Sequence, residues 1–230
     1  MIGILDSGEG AENTLKELRL LVPSLDVLLF KDRKNSPYGT KAKDELIAVA
    51  TSGVDRLIRE GCERVLIACC TASTVHSELE KRYRECSIPI ILPTAHAALA
   101  ASQNGKIALI ATDATVRSHA FSHALGSALT AEIAASRLVC EIENGARDGK
   151  ISDELTEYLT ALTKEIAASG ADTLILGCTH FVRLRGEIER AYEKETRKKI
   201  IIVDSAAEGA RALAGLCAGS RGEGLIKRIE

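Results

Sequence analysis

The sequence predicts a doubly wound α/β fold made of two similar lobes, and three observations predict it. Short apolar runs alternate with helical patterns along all 230 residues. Those runs are continuous rather than alternating in polarity, as in parallel strands covered on both faces. The second half of the chain then repeats the plan of the first.

Residues 2–5 form the first strand and run into Asp6, Ser7 and Gly8. Leu15, Leu18, Leu21 and Val22 recur at helical spacing. Residues 27–30 are the second strand, followed by a polar loop holding Pro37, Tyr38 and Gly39. Leu46, Ala50, Val54, Leu57 and Ile58 mark a long amphipathic helix. Residues 65–68 and 88–92 read as a third and a fourth strand. In the second half, 107–111 is a strand and 112–123 leads into a helix. Residues 133–142 are less regular, 155–168 an amphipathic helix, 174–176 a strand, 200–203 the last strand and 206–218 the last helix.

The halves match at several points. Ile4-Leu5-Asp6-Ser7 lies over Leu109-Ile110-Ala111-Thr112, the VLIACCT of 65–71 over the TLILGCT of 173–179, and Ile90-Ile91-Leu92 over Ile201-Ile202-Val203. A repeat this long is a duplicated α/β unit rather than a solenoid. It divides the chain into a first lobe of residues 1–94 plus 205–230 and a second of 95–204, each presenting a cysteine-bearing strand end to the other.

Composition excludes several functions. Aromatic residues are 3% with no Trp, so stacking platforms for single-stranded nucleic acid are missing. The net charge is −2 without a basic stripe, which argues against a duplex footprint. No apolar run approaches the ~20 residues that cross a bilayer, and Asp6 interrupts any secretory core at the start. Seven cysteines cannot all pair within one chain. A reducing cytoplasm, with catalytic rather than bridged thiols, is the expectation.

Ligands of open α/β sheets bind beyond the carboxyl ends of strands. Polar groups gather at such ends here: Asp6-Ser7, Cys69-Cys70-Thr71, Thr112 to Thr115, Cys178-Thr179-His180 and Asp204-Ser205. Burial as a small hydrophobe explains most single cysteines. It explains less well two Cys-Thr steps in equivalent places of a duplicated unit. Two thiols facing one another across a cleft suit removal of a proton from one face of a carbon and its return to the other, which inverts a stereocentre. The gapless internal overlay pairs Cys70, rather than Cys69, with Cys178.

The motifs IGILDSGEG (2–10), DRKNSPYGTK (32–41), IACCTAS (67–73), ATDATVRS (111–118), ILGCTHF (175–181) and IIVDSA (201–206) resemble, in order and over nearly the whole chain, those of glutamate racemases in the cofactor-independent aspartate/glutamate racemase family. The resemblance implies two Rossmann-like lobes with the active site between them. It implies Cys69 and Cys178 as the two acid/bases, assisted by Asp6, His180 and Glu143. It gives Ser7, Pro37, Tyr38, Gly39, Cys70, Thr71, Thr115 and Thr179 contacts with a glutamate substrate. No cofactor and no metal are implied. The implied role is D-glutamate supply for peptidoglycan in a bacterial cytoplasm, by a homodimer that engages neither nucleic acid nor membrane.

Departures from the family pattern are specific. Cys70 stands where the family has Asn, and a thiol cannot replace an amide that both donates and accepts. Glu9 and Glu12 interrupt the usual apolar start of the first helix, and Val182-Arg183 replaces a usual Pro-Leu. These departures leave open an aspartate or hydantoin racemase, or a degenerate racemase kept as a binding protein.

The remaining signals are weaker. Cys62, Cys86, Cys140 and Cys217 read as packing or surface residues. His119 and His123 have the spacing of two helical metal ligands but lack a third. Asp204-Ser205 reads equally as a lobe hinge or a helix cap. The charges of 187–199 read as a solvated face.

Overall fold

The computed structural model describes residues 1–217 and 222–230. In chain order the elements are β1 (Ile2–Asp6), α1 (Gly10–Leu21), β2 (Val27–Lys31), α2 (Lys43–Arg59), β3 (Arg64–Ile67), α3 (Cys70–Ser73), α4 (Lys81–Cys86), β4 (Ser87–Pro89) and α5 (Ile91–Ala101). There follow β5 (Ile107–Ala111), α6 (Asp113–Arg117), α7 (Ala120–Leu125), β6 (Leu129–Ala134), α8 (Arg137–Glu143), α9 (Asp153–Ala168), β7 (Thr173–Gly177), α10 (Arg185–Thr196), β8 (Ile201–Asp204), α11 (Ser205–Leu216) and β9 (Ile226–Ile229).

The strands form two sheets, ordered β4-β3-β1-β2-β9 and β6-β5-β7-β8. Every pairing is parallel. In each sheet the first strand in sequence sits beside the second and third, and the fourth lies beyond the third. The shared order is the duplication in three dimensions.

Continuous apolar strands are needed because both faces are covered. In the first sheet Leu5, Leu28, Phe30, Val65 and Ile67 face α2 through Leu46, Ala50, Val54 and Leu57. Ile4, Val27, Leu29 and Leu66 face α1 and α11 through Leu15, Leu18, Ala210 and Leu213. The second sheet sends Ala108, Ile110, Leu174 and Leu176 towards α8, α9 and α10, and Leu109, Ala111, Ile175 and Val203 towards α5 and α7. Local signals set the helix starts. Ser152 accepts from the Leu155 N–H at 3.1 Å and Asp204 from the Ala206 N–H at 3.0 Å, while Glu45 reaches back to the Ala42 N–H at 3.2 Å.

Five expectations need correction. The run at 88–92 is not one strand: β4 ends at Pro89, and Ile91 and Leu92 belong to α5. Their match to 201–203 is therefore not structural. Pro93 sits in the first turn of α5, where its missing N–H costs nothing. The stretch 133–142 is regular, comprising the end of β6 and most of α8. The helix expected over 112–123 is two short helices, broken where His119 takes a left-handed φ of 56°. β8 is not the last strand, since β9 returns to pair with β2. The proposed last helix at 206–218 starts one residue earlier, and its final residue lies outside the described residues.

β7 leaves no room beyond hydrogen at its last position. A methyl on Gly177 would sit 2.6 Å from Leu109 Cδ1 and 3.0 Å from the Ile110 carbonyl oxygen. Gly177→Ala should therefore cost about 1–3 kcal/mol through overpacking, read as a lowered urea midpoint with unchanged slope.

Candidate active site

The two sheets point the carboxyl ends of their strands at each other, and the polar residues after those ends meet in one place. Sheet register decides which cysteines are equivalent. Ile4 of β1 lies opposite Leu66 of β3, and Leu109 of β5 opposite Ile175 of β7. With Ile4 laid over Leu109, Cys69 and Cys178 each fall three residues beyond the paired position, and Cys70 falls over Thr179. The gapless overlay of the two motifs is thus out of register by one.

Cys69, Cys70 and Cys178 are all buried and line a cavity of about 90 Å³. Ser7, Pro37, Tyr38, Gly39, Thr71, Thr179, His180 and Glu143 line it too. Asp6 and Thr115 do not line it; both are wholly buried behind its wall. Thr115 hydrogen bonds with Thr112 at 2.9 Å, and both hydroxyls meet that of Thr71, at 3.2 and 2.8 Å respectively. This triad of hydroxyls joins α3 of the first lobe to α6 of the second.

A second junction lies on the other side. Thr179 donates its hydroxyl to Asp6 Oδ2 at 2.9 Å, and the Gly8 N–H donates to Asp6 Oδ1 at 2.8 Å. Asn13 on α1 donates its amide to the Thr179 carbonyl at 2.7 Å. Gly10 is required here, since any Cβ would overlap the Thr179 hydroxyl. The 33–40 loop is pinned by Tyr38, whose phenol donates to Asp32 at 2.6 Å, and by Asn35, whose amide reaches both Asp32 oxygens at 2.9 Å. Gly39 brings this loop against Thr112, leaving 3.0 Å for a Cβ.

Burial governs the proton affinities. It pushes the Cys69 thiol up to about 11, with the Asp6 charge adding to the effect and the Ala72 and Thr71 N–H groups and Ser7 opposing it. Burial likewise raises Cys70 and Cys178. It raises Asp6 to about 7 against the Gly8 and Thr179 hydrogen bonds, and lowers His180 to about 4. At neutral pH the cavity therefore holds neutral thiols and a neutral imidazole. Cys69 Sγ lies 3.8 Å from Ser7 Oγ, and Cys178 Sγ 3.7 Å from His180 Nδ1. His180 Nε2 is buried without a hydrogen-bond partner, 3.7 Å from Glu143 Oε1.

Thr112, from the 111–118 motif, lines the cavity as well. Ser136 and Cys140 line it without a motif of their own, the latter as an exposed thiol on α8. Asn13 carried no motif at all. The other extra cysteines match expectation: Cys62 and Cys217 are core residues and Cys86 is half-buried. Asp204 caps α11. His119 stands outside the helix that carries His123, and no metal-holding cluster occurs among the described residues. No helix among them is long and apolar enough to cross a membrane.

Two parallel sheets thus bring a pair of buried thiols to one cavity. The profile of the Asp/Glu/Hydantoin racemase family matches residues 24–213, and the chain belongs to that family. It is 38% identical over 218 residues to a glutamate racemase of Desulforudis audaxviator, covering 92% of this chain and 77% of that protein. A Koribacter versatilis glutamate racemase is 34% identical, over 93% of this chain and 73% of its own length. The crystal structure of a Bacillus anthracis glutamate racemase superposes with a TM-score of 0.81 at 26% identity, covering 99% of this chain and 86% of that one.

The position of Asp6 has a pH signature. Its carboxyl moves from 3.8 to about 7 on folding. Between those values the native state keeps a proton that the unfolded chain has released, so stability falls as pH rises across the window. Asp6→Asn stays neutral throughout. Its stability relative to the parent should rise by up to ~4 kcal/mol between pH 4 and pH 8, measured by chemical denaturation. A difference independent of pH would contradict the burial of an ionisable Asp6.

Proposed function

We propose that the protein interconverts L- and D-glutamate by two-thiol exchange of the α-proton. The observation that carries this reading is the register-matched pair Cys69 and Cys178, lining one cavity from opposite lobes. The naming of its relatives as glutamate racemases supports the substrate.

In the proposed cycle one cysteine, as thiolate, takes the α-proton, and the thiol of the other gives its proton to the opposite face. The net change is inversion of Cα, with one proton removed and one supplied. Burial alone holds both thiols protonated. The substrate's ammonium is the opposite charge that brings a thiol down within the cavity. Asp6, with an affinity near neutrality, is suited to exchange protons on the Cys69 side. His180 and Glu143 serve Cys178. The N–H groups of Ser7, Thr71 and Thr179 and the hydroxyls of Ser7 and Thr71, with the loop of Pro37, Tyr38 and Gly39, hold the carboxylates, while the Thr179 hydroxyl stays on Asp6. Thr115 acts through Thr71. Cys70 gives a weaker contact than an amide would. The cycle draws on the chain's own groups without pyridoxal phosphate or metal. Its product would serve peptidoglycan assembly in a bacterial cytoplasm.

Purified protein without added cofactor should racemise L-glutamate, and in deuterium oxide the D-product should carry deuterium at Cα. Unlabelled product would contradict the exchange. Cys69→Ser and Cys178→Ser should each lose about 10²–10⁴ in turnover, whereas Cys70→Ser should act mainly on KM. Turnover retained by Cys69→Ser but lost by Cys70→Ser would reassign the acid/base of the first lobe.

A further inference from the structure

A second cavity of about 320 Å³ opens beside the first and shares Ser7, Ser36 and Glu143 with it. Four charged residues line it: Glu9, Arg33, Glu143 and Arg183. Two are already committed to each other and to neighbours. Glu9 pairs with Arg33 at 2.6 Å and with Lys31 at 3.4 Å, and Arg33 also meets Glu230 at 3.3 Å.

The other two are not. Among the described residues Glu143 has only the His180 ring, 3.7 Å away, and burial keeps that imidazole neutral at pH 7. Among the described residues Arg183 has no ion-pair partner and its side chain no hydrogen bond, although its charge reaches the His180 ring. Its backbone is fixed, with the N–H bonded to the His180 carbonyl at 3.1 Å and the carbonyl accepting from the Asp148 N–H at 2.8 Å. A half-buried cation and a carboxylate therefore stand free at the mouth of the cysteine cavity. Gly8 leaves space between these groups, since a Cβ there would sit 3.3 Å from His180 Nε2 and 3.6 Å from Glu143 Oε1.

We propose that this mouth is an antechamber for an α-amino dicarboxylate, with Arg183 holding a carboxylate and Glu143 facing the ammonium before the substrate passes to the thiols. This assignment of the substrate rests on the racemase reading; the anion site at Arg183 does not. One free cation beside one free anion complements a zwitterion better than it complements a simple anion. The further carboxylate of an acidic amino acid gives Arg183 a longer reach than a neutral amino acid would.

Arg183→Gln should raise the KM for both glutamate enantiomers by about tenfold at low ionic strength, with kcat within about twofold. The deficit should shrink as salt screens the mouth, and Arg183→Lys should recover most of it. Lys194→Gln, which removes the same charge from exposed α10, should leave KM unchanged. Equal KM values for Arg183→Gln and the parent at low salt would overturn the proposal. So would an equal loss in Lys194→Gln. Calorimetric titration with glutarate separates the two readings. If the parent shows no turnover of glutamate, the racemase reading fails. The subsite then stands on glutarate binding that weakens about tenfold in Arg183→Gln, and falls if the affinities are equal.

Discussion

The structure depends on hydrogen bonds that pair polar groups buried between two sheets set end to end. Parallel sheets place all their strand-terminal polar groups at one edge, and two such edges pressed together take those groups out of water. Each one left unpaired costs about 1–3 kcal/mol. The Thr179–Asp6 and Asn13–Thr179 bonds on one side, and the three threonine hydroxyls on the other, meet that demand and join the lobes at the same time. Three side-chain atoms among the described residues stay buried without a partner, and two of them, His180 Nε2 and Ser205 Oγ, belong to residues that follow strand ends in this junction. Junction and cysteine cavity are one construction.

The same burial sets the chemistry. A buried cavity favours neutral thiols and neutral imidazole, a poor resting state for the proposed proton abstraction. It also removes the screening that would weaken a bound ammonium's effect. In the proposed cycle, activation of the thiols is thereby tied to loading with a substrate of the right charge. The acidic residues that depart from the family pattern lie just outside this region. Glu12 bridges Lys31 at 2.9 Å and Arg228 at 2.9 Å, which holds its carboxyl at about 2. An apolar contact in the usual pattern is here replaced by a charged tie to the last strand.

Much of this was legible in the sequence. The strands of the two sheet centres, the long helices, the duplication and the gathering of Cys69-Cys70-Thr71 and Cys178-Thr179-His180 at strand ends follow from patterns that burial on both faces imposes, whereas Cys69 rather than Cys70 as the partner of Cys178 came from the family resemblance. What escaped has physical reasons. Residues 88–92 are apolar throughout, and an unbroken apolar run does not distinguish a strand from the first turn of a buried helix. β9 is mostly exposed and reads Ile-Lys-Arg-Ile, so its pairing comes from the free edge of β2 and from Asp26 accepting the Glu223 and Leu225 N–H groups. Asn13 acts through one long-range bond to a backbone carbonyl, which leaves no trace in spacing. Cys140 reaches the cavity only because α8 crosses its rim.

The route of the chain has a consequence for biosynthesis. The second sheet is drawn from one unbroken stretch, 107–204, and its core closes as soon as that stretch has emerged. The first sheet is not complete at that point. One of its faces waits for α11, whose Ala210 and Leu213 cover Ile4, Leu29 and Leu66, and its edge waits for β9. The lobe made first is finished last, so a chain cut before α11 keeps the strands of the second sheet and leaves an open apolar face on the first.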